Sequence, residues 1–248
     1  MERLLGRKTI RYDIVTSTNE LLRELAADGI ETGTVVTARA QFSGRGRLDR
    51  KWESPEGGLW MSILLETDAG FEANRFGLVP LMAGASVATS IIMEYDLDAG
   101  VKWPNDVLIG GRKVSGILCE LIERGGTRCA IVGIGVNVNN PVKEGYDFSG
   151  QSTSVMEEFG KPVGLEDLEN TILEELNFRN ELLSEGDFGK ILDDWRELSI
   201  TLGKKVSVQT PGGEINGTAE NIDDNGALIL KCNGERRTVN AGDCRHLE

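Results

Sequence analysis

The chain has 248 residues, 40% hydrophobic and 27% charged, with a formal net charge of −13 from 27 basic and 40 acidic side chains. This balance excludes a disordered chain and predicts one large domain, or a medium domain with a small companion. The acidity argues against a general nucleic-acid binder.

Met1 to Ile10 is charged and lacks an apolar h-region, so no signal peptide is predicted. Arg11 to Val15 reads as a short strand, and Thr16-Ser17-Thr18-Asn19 offers caps for a helix over Glu20 to Asp28, closed by Gly29. Thr34 to Ala40 reads as a strand, Gln41 to Trp52 as a polar loop, and Gly58 to Glu66 as a strand. Phe76 to Met93 carries no charge for eighteen residues. That is the lower edge of a membrane span, but its glycines, proline and hydroxyls predict a buried core helix. Val101 to Asn139 reads as a meander: Val107 to Ile109, a Gly110-Gly111 hairpin, Val114 to Ile122, a turn at Arg124 to Thr127, then Cys129 to Asn137. Two acidic helices follow, the first with Leu165, Leu168, Ile172, Leu176 and Leu183 on one face, the second from Phe188 to Leu198. After Gly203 come four short strands, Lys205 to Val208, Gly217 to Ile222, Ala227 to Lys231 and Arg236 to Val239, split by glycine turns. They predict a small appended β-barrel.

The charge is uneven. Glu144 to Leu198 holds fifteen acids against four bases, the solvated face of the two helices. Arg39 to Lys51 holds five bases (Arg39, Arg45, Arg47, Arg50, Lys51) against Asp49 alone. Within this island Gly44-Arg45-Gly46-Arg47 fits neither a Walker A loop nor a dinucleotide fingerprint. Glycines alternating with arginines still suit an anion, because backbone N–H groups approach it and guanidinium forks grip it. The plainer reading is a solvated surface loop. Trp52 and Trp60 flank the loop; Trp52 can stack on a base, whereas Trp60 reads as core. In Lys102-Trp103-Pro104-Asn105-Asp106, the proline makes Trp103 extended and presents Asn105 and Asp106 in a turn. Lys113 opens the next strand, where strict alternation puts Lys113 and Ser115 on one face and Val114 and Gly116 on the other. A lysine opening a strand is more often a solvated edge residue. In Gly133-Ile134-Gly135 the glycines permit close approach of another group. His246, the single histidine, leaves little room for a His triad or a His-ligated zinc. Cys119, Cys129, Cys232 and Cys244 lack CxxC spacing and read as reduced, partly buried thiols.

The segments GRGRLDRKWESPEGGLW, KWPND, RKVSGIL and GIGVNVN, in this order and with Ser17-Thr18-Asn19 ahead of them, resemble the biotin protein ligase family. The resemblance implies an α+β fold. A mixed, largely antiparallel, class II synthetase-like sheet packed with helices would occupy residues 1–200, and a small Src-homology-3-like β-barrel residues 203–248. It implies a cytoplasmic ATP-dependent ligase that forms biotinyl-5′-AMP and then biotinylates one lysine of a carrier domain. Lys113, Arg47 and Asp106 would be catalytic, Asp106 by orienting the acceptor amine. Biotin would meet Ser17, Thr18, Asn19, Gln41, Gly44, Arg45, Gly46, Lys113, Gly116, Ile117, Gly133 and Gly135. ATP or the adenylate would meet Arg45, Arg47, Arg50, Trp52, Asn105, Lys113 and Asn137. Mg²⁺ would arrive with ATP, held by phosphates and waters and not by a protein-only cage. The partner would be the biotin carboxyl carrier domain of a biotin-dependent carboxylase, with no nucleic acid and no membrane; many members form homodimers. Because the motifs begin by residue 17, a form without the N-terminal DNA-binding domain of some members is expected.

Two rivals share parts of this pattern. A lipoate–protein ligase would use the same acyl-adenylate chemistry on a similar fold, but would not be expected to carry GRGRLDRKW followed by KWPND. A non-catalytic biotin sensor would keep the pocket, but need not keep Lys113 and both loop arginines.

Overall fold

The protein is described from a computed structural model covering residues 4–48, 50–66, 73–142 and 151–247. Asp49 of the basic island and the acidic stretch's residues 144–150 lie outside the described residues.

The main sheet has seven strands in the order β1-β2-β3-β7-β6-β5-β4. β1 (Thr9–Val15) runs parallel to β2 (Val35–Gln41), because α1 (Thr18–Ala27) crosses over between them. All other neighbours are antiparallel: β3 (Leu59–Glu66), β4 (Ala99–Lys102), β5 (Asp106–Ile109), β6 (Arg112–Arg124) and β7 (Thr127–Val136). Gly110 and Gly111 close the β5–β6 hairpin with φ of 56° and 81°. Two successive left-handed residues are what a tight hairpin matching the strand twist demands, and glycine adopts them without strain.

One face of this sheet is covered by α2 (Leu78–Tyr95), α4 (Leu165–Glu185) and α5 (Phe188–Leu198). The apolar helix over 74–95 is long enough to cross a membrane by composition, but 67% of its apolar window is buried inside the protein. Ser86 and Ser90 are accommodated there because their hydroxyls donate to the carbonyls of Met82 and Ser86. Leu168, Ile172, Leu176 and Leu183 of α4 face this core as their spacing predicts, with Leu165 partly buried at its margin. α3 (Val155–Phe159) was not anticipated; five residues are too few to show a helical period. On the opposite face α1 covers only part of the sheet, burying Leu22 and Ala26 against Val36, Leu64, Cys129 and Ile131. The uncovered remainder of that face is where the motifs gather.

The C-terminal segment forms a second antiparallel sheet, β11-β10-β9-β8-β12. Its strands are β8 (Lys205–Thr210), β9 (Gly213–Ile222), β10 (Leu228–Cys232), β11 (Glu235–Val239) and β12 (Asp243–His246). Four strands were expected; β12, with the polar sequence Asp-Cys-Arg-His, carries no strand signal and is recruited by pairing with β8. Val206, Val208, Leu228 and Leu230 join the same hydrophobic core as the main sheet. The junction is also tied by hydrogen bonds: Trp103 Nε1 donates to Gly226 O at 3.0 Å, and the Trp103 N–H to Thr201 Oγ1 at 3.1 Å. The four cysteines are free; Cys119 packs against the core as an ordinary apolar strand residue.

His246 Nε2 lies 3.1 Å from Thr201 Oγ1 at this junction. Burial, then the charges of Lys102 and Lys204, pull its pKa from 6.5 down to about 4. The unfolded chain therefore takes up a proton that the folded chain refuses. The stability contributed by neutral His246 is whole above pH 6.5 and is lost as pH falls from 6.5 toward about 4. In urea titrations across that window, wild type should lose stability faster than His246→Gln; parallel curves would contradict the assignment.

Candidate active site

A cavity of about 490 Å³ opens over the uncovered part of the main sheet. It lies between the start of α1, the 42–54 loop, the Lys102–Asp106 turn and β12. Six cations line it (Arg45, Arg47, Arg50, Lys51, Lys113, Arg245) against three carboxylates (Glu53, Asp106, Asp243). In a chain of net charge −13 this is a locally cationic cleft.

Its floor is the β6–β7 pair, where Gly116 lies opposite Gly135. The Trp52 ring rests on both glycines: a Cβ on Gly135 would stand 2.6 Å from Trp52 Nε1, and one on Gly116 3.0 Å from its Cζ3. Glycine at these two positions is a requirement of contact with the ring. Trp52 also meets Trp60 edge-on, with centroids 6.5 Å apart, while its Nε1–H is buried without a hydrogen-bond partner among the described residues. A Cβ on Gly133 would collide with the Asn19 amide, so that glycine admits the start of α1 to the sheet.

Lys113 departs from strict alternation. The β5–β6 register shifts between Val107, opposite Ser115, and Leu108, opposite Lys113, leaving Val114 as an extra residue on β6. This bulge turns Lys113 onto the same face as Gly116: its Cε lies 3.5 Å from where a Gly116 Cβ would be. Ser115, expected on the lysine's face, is instead fully buried. The correction follows from the bulge, which breaks the period of two. Lys113 Nζ reaches Asp106 Oδ1 at 2.9 Å and stands 5.2 Å from the centroid of the Trp52 ring. Both members of the ion pair are largely buried, with side chains 13% and 14% exposed, so the lysine is no solvated edge residue.

The basic loop is built in. The backbone pairs Gln41 with Ser54 and Arg45 with Lys51, and the Trp52 N–H donates to Gly44 O at 2.8 Å. Arg47 donates to Asn105 Oδ1 at 2.8 Å and to Gly242 O at 3.2 Å, and Arg50 pairs with Asp243. Burial, opposed by the charges of Asp243 and Asp106, lowers the Arg47 pKa from its ordinary value. The C-terminal sheet thus forms one wall of the site.

The other wall is a hydrogen-bonded relay. Gln41 Oε1 accepts from the Thr18 N–H at 2.8 Å and from Thr18 Oγ1 at 3.2 Å, while Gln41 Nε2 donates to Ser54 Oγ at 2.7 Å. Ser62 Oγ lies 2.7 Å from Thr18 Oγ1 and 2.6 Å from Asn19 Oδ1. Asn19 Nδ2 donates to Glu120 Oε2 at 2.8 Å and to Leu118 O at 3.2 Å.

Of the residues expected at the site, Ser17, Thr18, Asn19, Gln41, Arg45, Gly46, Arg47, Arg50, Trp52, Asn105, Asp106, Lys113, Gly116, Ile117, Gly133, Gly135 and Asn137 line this one cavity. Gly44 does not line it; a Cβ there would meet Trp52 O and Ser54 Oγ, so it serves the loop's return. Three amides are committed within the protein. Asn19 is engaged as above; Asn105 Nδ2 donates to Ile117 O and its Oδ1 accepts from Arg47. Asn137 Nδ2 donates to Thr153 O and its Oδ1 accepts from Asn140. They brace the site. Trp52 lies on the floor glycines themselves, so the ring expected to stack on a base and the expected biotin floor share one place. Residues not anticipated are Ser62, Glu120 and the Gly242–Arg245 segment. Ser62 had a signal, as the lone hydroxyl in the apolar run Leu59–Leu65; Asp243 and Arg245 had none, lying nearly two hundred residues from the loop with which they share the cavity.

Among the described residues no three His, Cys, Asp or Glu side chains gather to hold a metal ion. The cavity carboxylates Asp106, Asp243 and Glu53 are paired with Lys113, Arg50 and Lys51.

Residues 12–137 match the Biotin/lipoate A/B protein ligase family, and residues 201–247 match the Biotin protein ligase C terminal domain. The chain belongs to the biotin/lipoate A/B protein ligase family. Within it, the chain is similar to proteins named for biotin ligation. It is 32% identical to the bifunctional ligase/repressor BirA of Bacillus subtilis over 97% of this chain and 74% of that protein. It is also 32% identical to the biotin–[acetyl-CoA-carboxylase] ligase of Paracoccus denitrificans, over 92% of this chain and 95% of that one. The biotin protein ligase from Aquifex aeolicus, solved in complex with biotin and ATP, superposes with a TM-score of 0.83 at 29% identity, covering 96% of this chain and 97% of that one.

Gly135→Ala should push the Trp52 ring off the floor at a cost of about 1–3 kcal/mol, the usual penalty of overpacking. Near-UV circular dichroism should change, and Trp52→Ala in the same chain should restore the lost stability. An unaltered spectrum would place the ring elsewhere.

Proposed function

We propose that the protein is an ATP-dependent biotin protein ligase. It joins biotin to ATP as biotinyl-5′-AMP with release of pyrophosphate, then transfers biotin to a lysine of a biotin carboxyl carrier domain. The observation that carries this reading is the Lys113–Asp106 pair held in the same cavity as the arginine loop.

Two anions must meet: an oxygen of the biotin carboxylate attacks the α-phosphorus of ATP. The new carboxylate–phosphorus bond forms as the α–β bridging bond breaks, and pyrophosphate leaves. Their mutual repulsion and the charge spreading over the phosphoryl oxygens call for fixed cations in a site screened from water. Lys113 supplies one beside Gly116; Arg47 and Arg50 supply forked donors from the loop. No histidine is needed, because the substrate carboxylate is the nucleophile. In the second step the acceptor amine attacks the acyl carbon, the bond to AMP oxygen breaks, and AMP leaves. Asp106, at the cavity wall, orients the amine. The loop, closed over the cavity by Trp52 and by its contacts to Gly242 and Asp243, shields the anhydride from hydrolysis. Magnesium would come with ATP; the paired carboxylates fit a metal carried by phosphates and waters better than a protein cage.

Two measurements test this. Biotin-dependent ATP–pyrophosphate exchange, followed by transfer of labelled biotin to a carrier domain, should both occur; exchange with lipoate in place of biotin would sink the reading. Lys113→Ala should lower exchange by about 10²–10³-fold, as for removal of a preorganised donor to developing charge. Near-normal exchange in that variant would remove Lys113 from its role.

A further inference from the structure

The charges around the cavity fall into two clusters. At the α1 end, Arg45 Nη1 lies 3.8 Å from Glu20 Oε1 and 3.6 Å from Glu120 Oε1, and Glu120 Oε1 also takes Arg23 Nη2 at 2.6 Å. Two cations and two carboxylates cancel there. At the other end Arg47, Arg50, Lys113 and Arg245 line the cavity with Asp106 and Asp243, while Lys51 and Glu53 pair with each other. The neutral end is also the end with uncharged donors and acceptors: Ser17, Thr18 and Gln41 line it. Arg45 is 38% exposed and its two acidic contacts are long, so they neutralise it without contributing much stability. Glu120 cannot leave, because Arg23 and Asn19 hold both its oxygens.

We propose that Glu120, assisted by Glu20, is a specificity-determining residue. By cancelling Arg45 it keeps the α1 end electrically neutral, so the cavity takes an acid with an uncharged polar head and disfavours one with a second anion. The cavity then orients its ligand by charge: the carboxylate goes to the cationic end beside Lys113, and the head group to the neutral end. This rests on the reading that the cavity binds a carboxylic acid for adenylation. Neither glutamate belongs to the motifs that carry that reading, and neither lines the cavity itself.

The test uses nonanedioate, a straight-chain dicarboxylate, as competitor against biotin in pyrophosphate exchange. Removing one charge this close to the head-group end should lower its inhibition constant about fivefold to tenfold in Glu120→Gln. A smaller decrease is expected in Glu20→Gln, and none in Glu120→Asp, while the KM for biotin does not fall. A purely structural role would weaken both ligands together and would not be rescued by aspartate. Unchanged inhibition in both glutamine variants, or no nonanedioate binding to any of the proteins, overturns the proposal. If Glu120→Gln does not fold, the smaller decrease in Glu20→Gln, on the half-exposed side of α1, carries the test. If wild type shows no biotin-dependent exchange, the ligase reading alone fails. Calorimetric affinities of nonanedioate for the same four proteins then decide the charge partition, with the same outcomes.

Discussion

The site depends on one extra residue in β6. Glu120, Leu118 and Gly116 follow each other at a spacing of two along the cavity side of the sheet, while Ile117 and Cys119 pack into the core. Counted back by the same period, Lys113 would share the core face with Ser115. An ammonium there would be buried beside Val107 and Val136, the strand partners of Ser115, at a heavy desolvation cost. The bulge at Val114 absorbs the conflict. It keeps Val114 in the core and delivers Lys113 to the cavity, 2.9 Å from Asp106. Bulges of this kind re-aim a side chain at the cost of one ladder position.

Given a lysine on that face, the other parts fall into relation with it. Gly116 and Gly135 admit the Trp52 ring, and Trp52 brings the end of the basic loop down to the sheet. The loop's arginines are then within reach of three separate structures. Arg45 meets the glutamates of α1 and β6, Arg47 the amide of Asn105, and Arg50 the carboxylate of β12. A loop of like charges would repel itself and stay extended; here each arginine is drawn to an acidic or carbonyl partner on a different element. The positive field of the cleft is therefore divided and aimed. That division fits chemistry in which a carboxylate and a phosphate must meet at one end while an uncharged ring occupies the other.

Much of the fold was legible because its signals are local. The strand and helix periods, the Gly110-Gly111 hairpin and the glycine turns of the C-terminal segment each rest on neighbours in sequence. α3 and β12 were not legible, being five and four residues long. A segment that short acquires its structure from the surface it docks on: β12 from β8, α3 from the Asn137 and Val138 carbonyls that take its first two N–H groups.

By itself the sequence singled out the glycine–arginine loop by residue type and spacing, and Lys113 and Asp106 through the resemblance that their short motifs carry. It also determined that one apolar helix would be core, and that basic residues are concentrated in one loop of an acidic chain. Only the tertiary structure decided which way Lys113 points, because a bulge is a property of two paired strands and not of one. Only it joined Asp243 to Arg50 of the loop, and Glu120 to Arg45, because ion pairing reads distance in space and ignores distance along the chain. Only it divided the net charge into a neutral end and a cationic end, since Coulomb forces are set by positions that folding alone supplies.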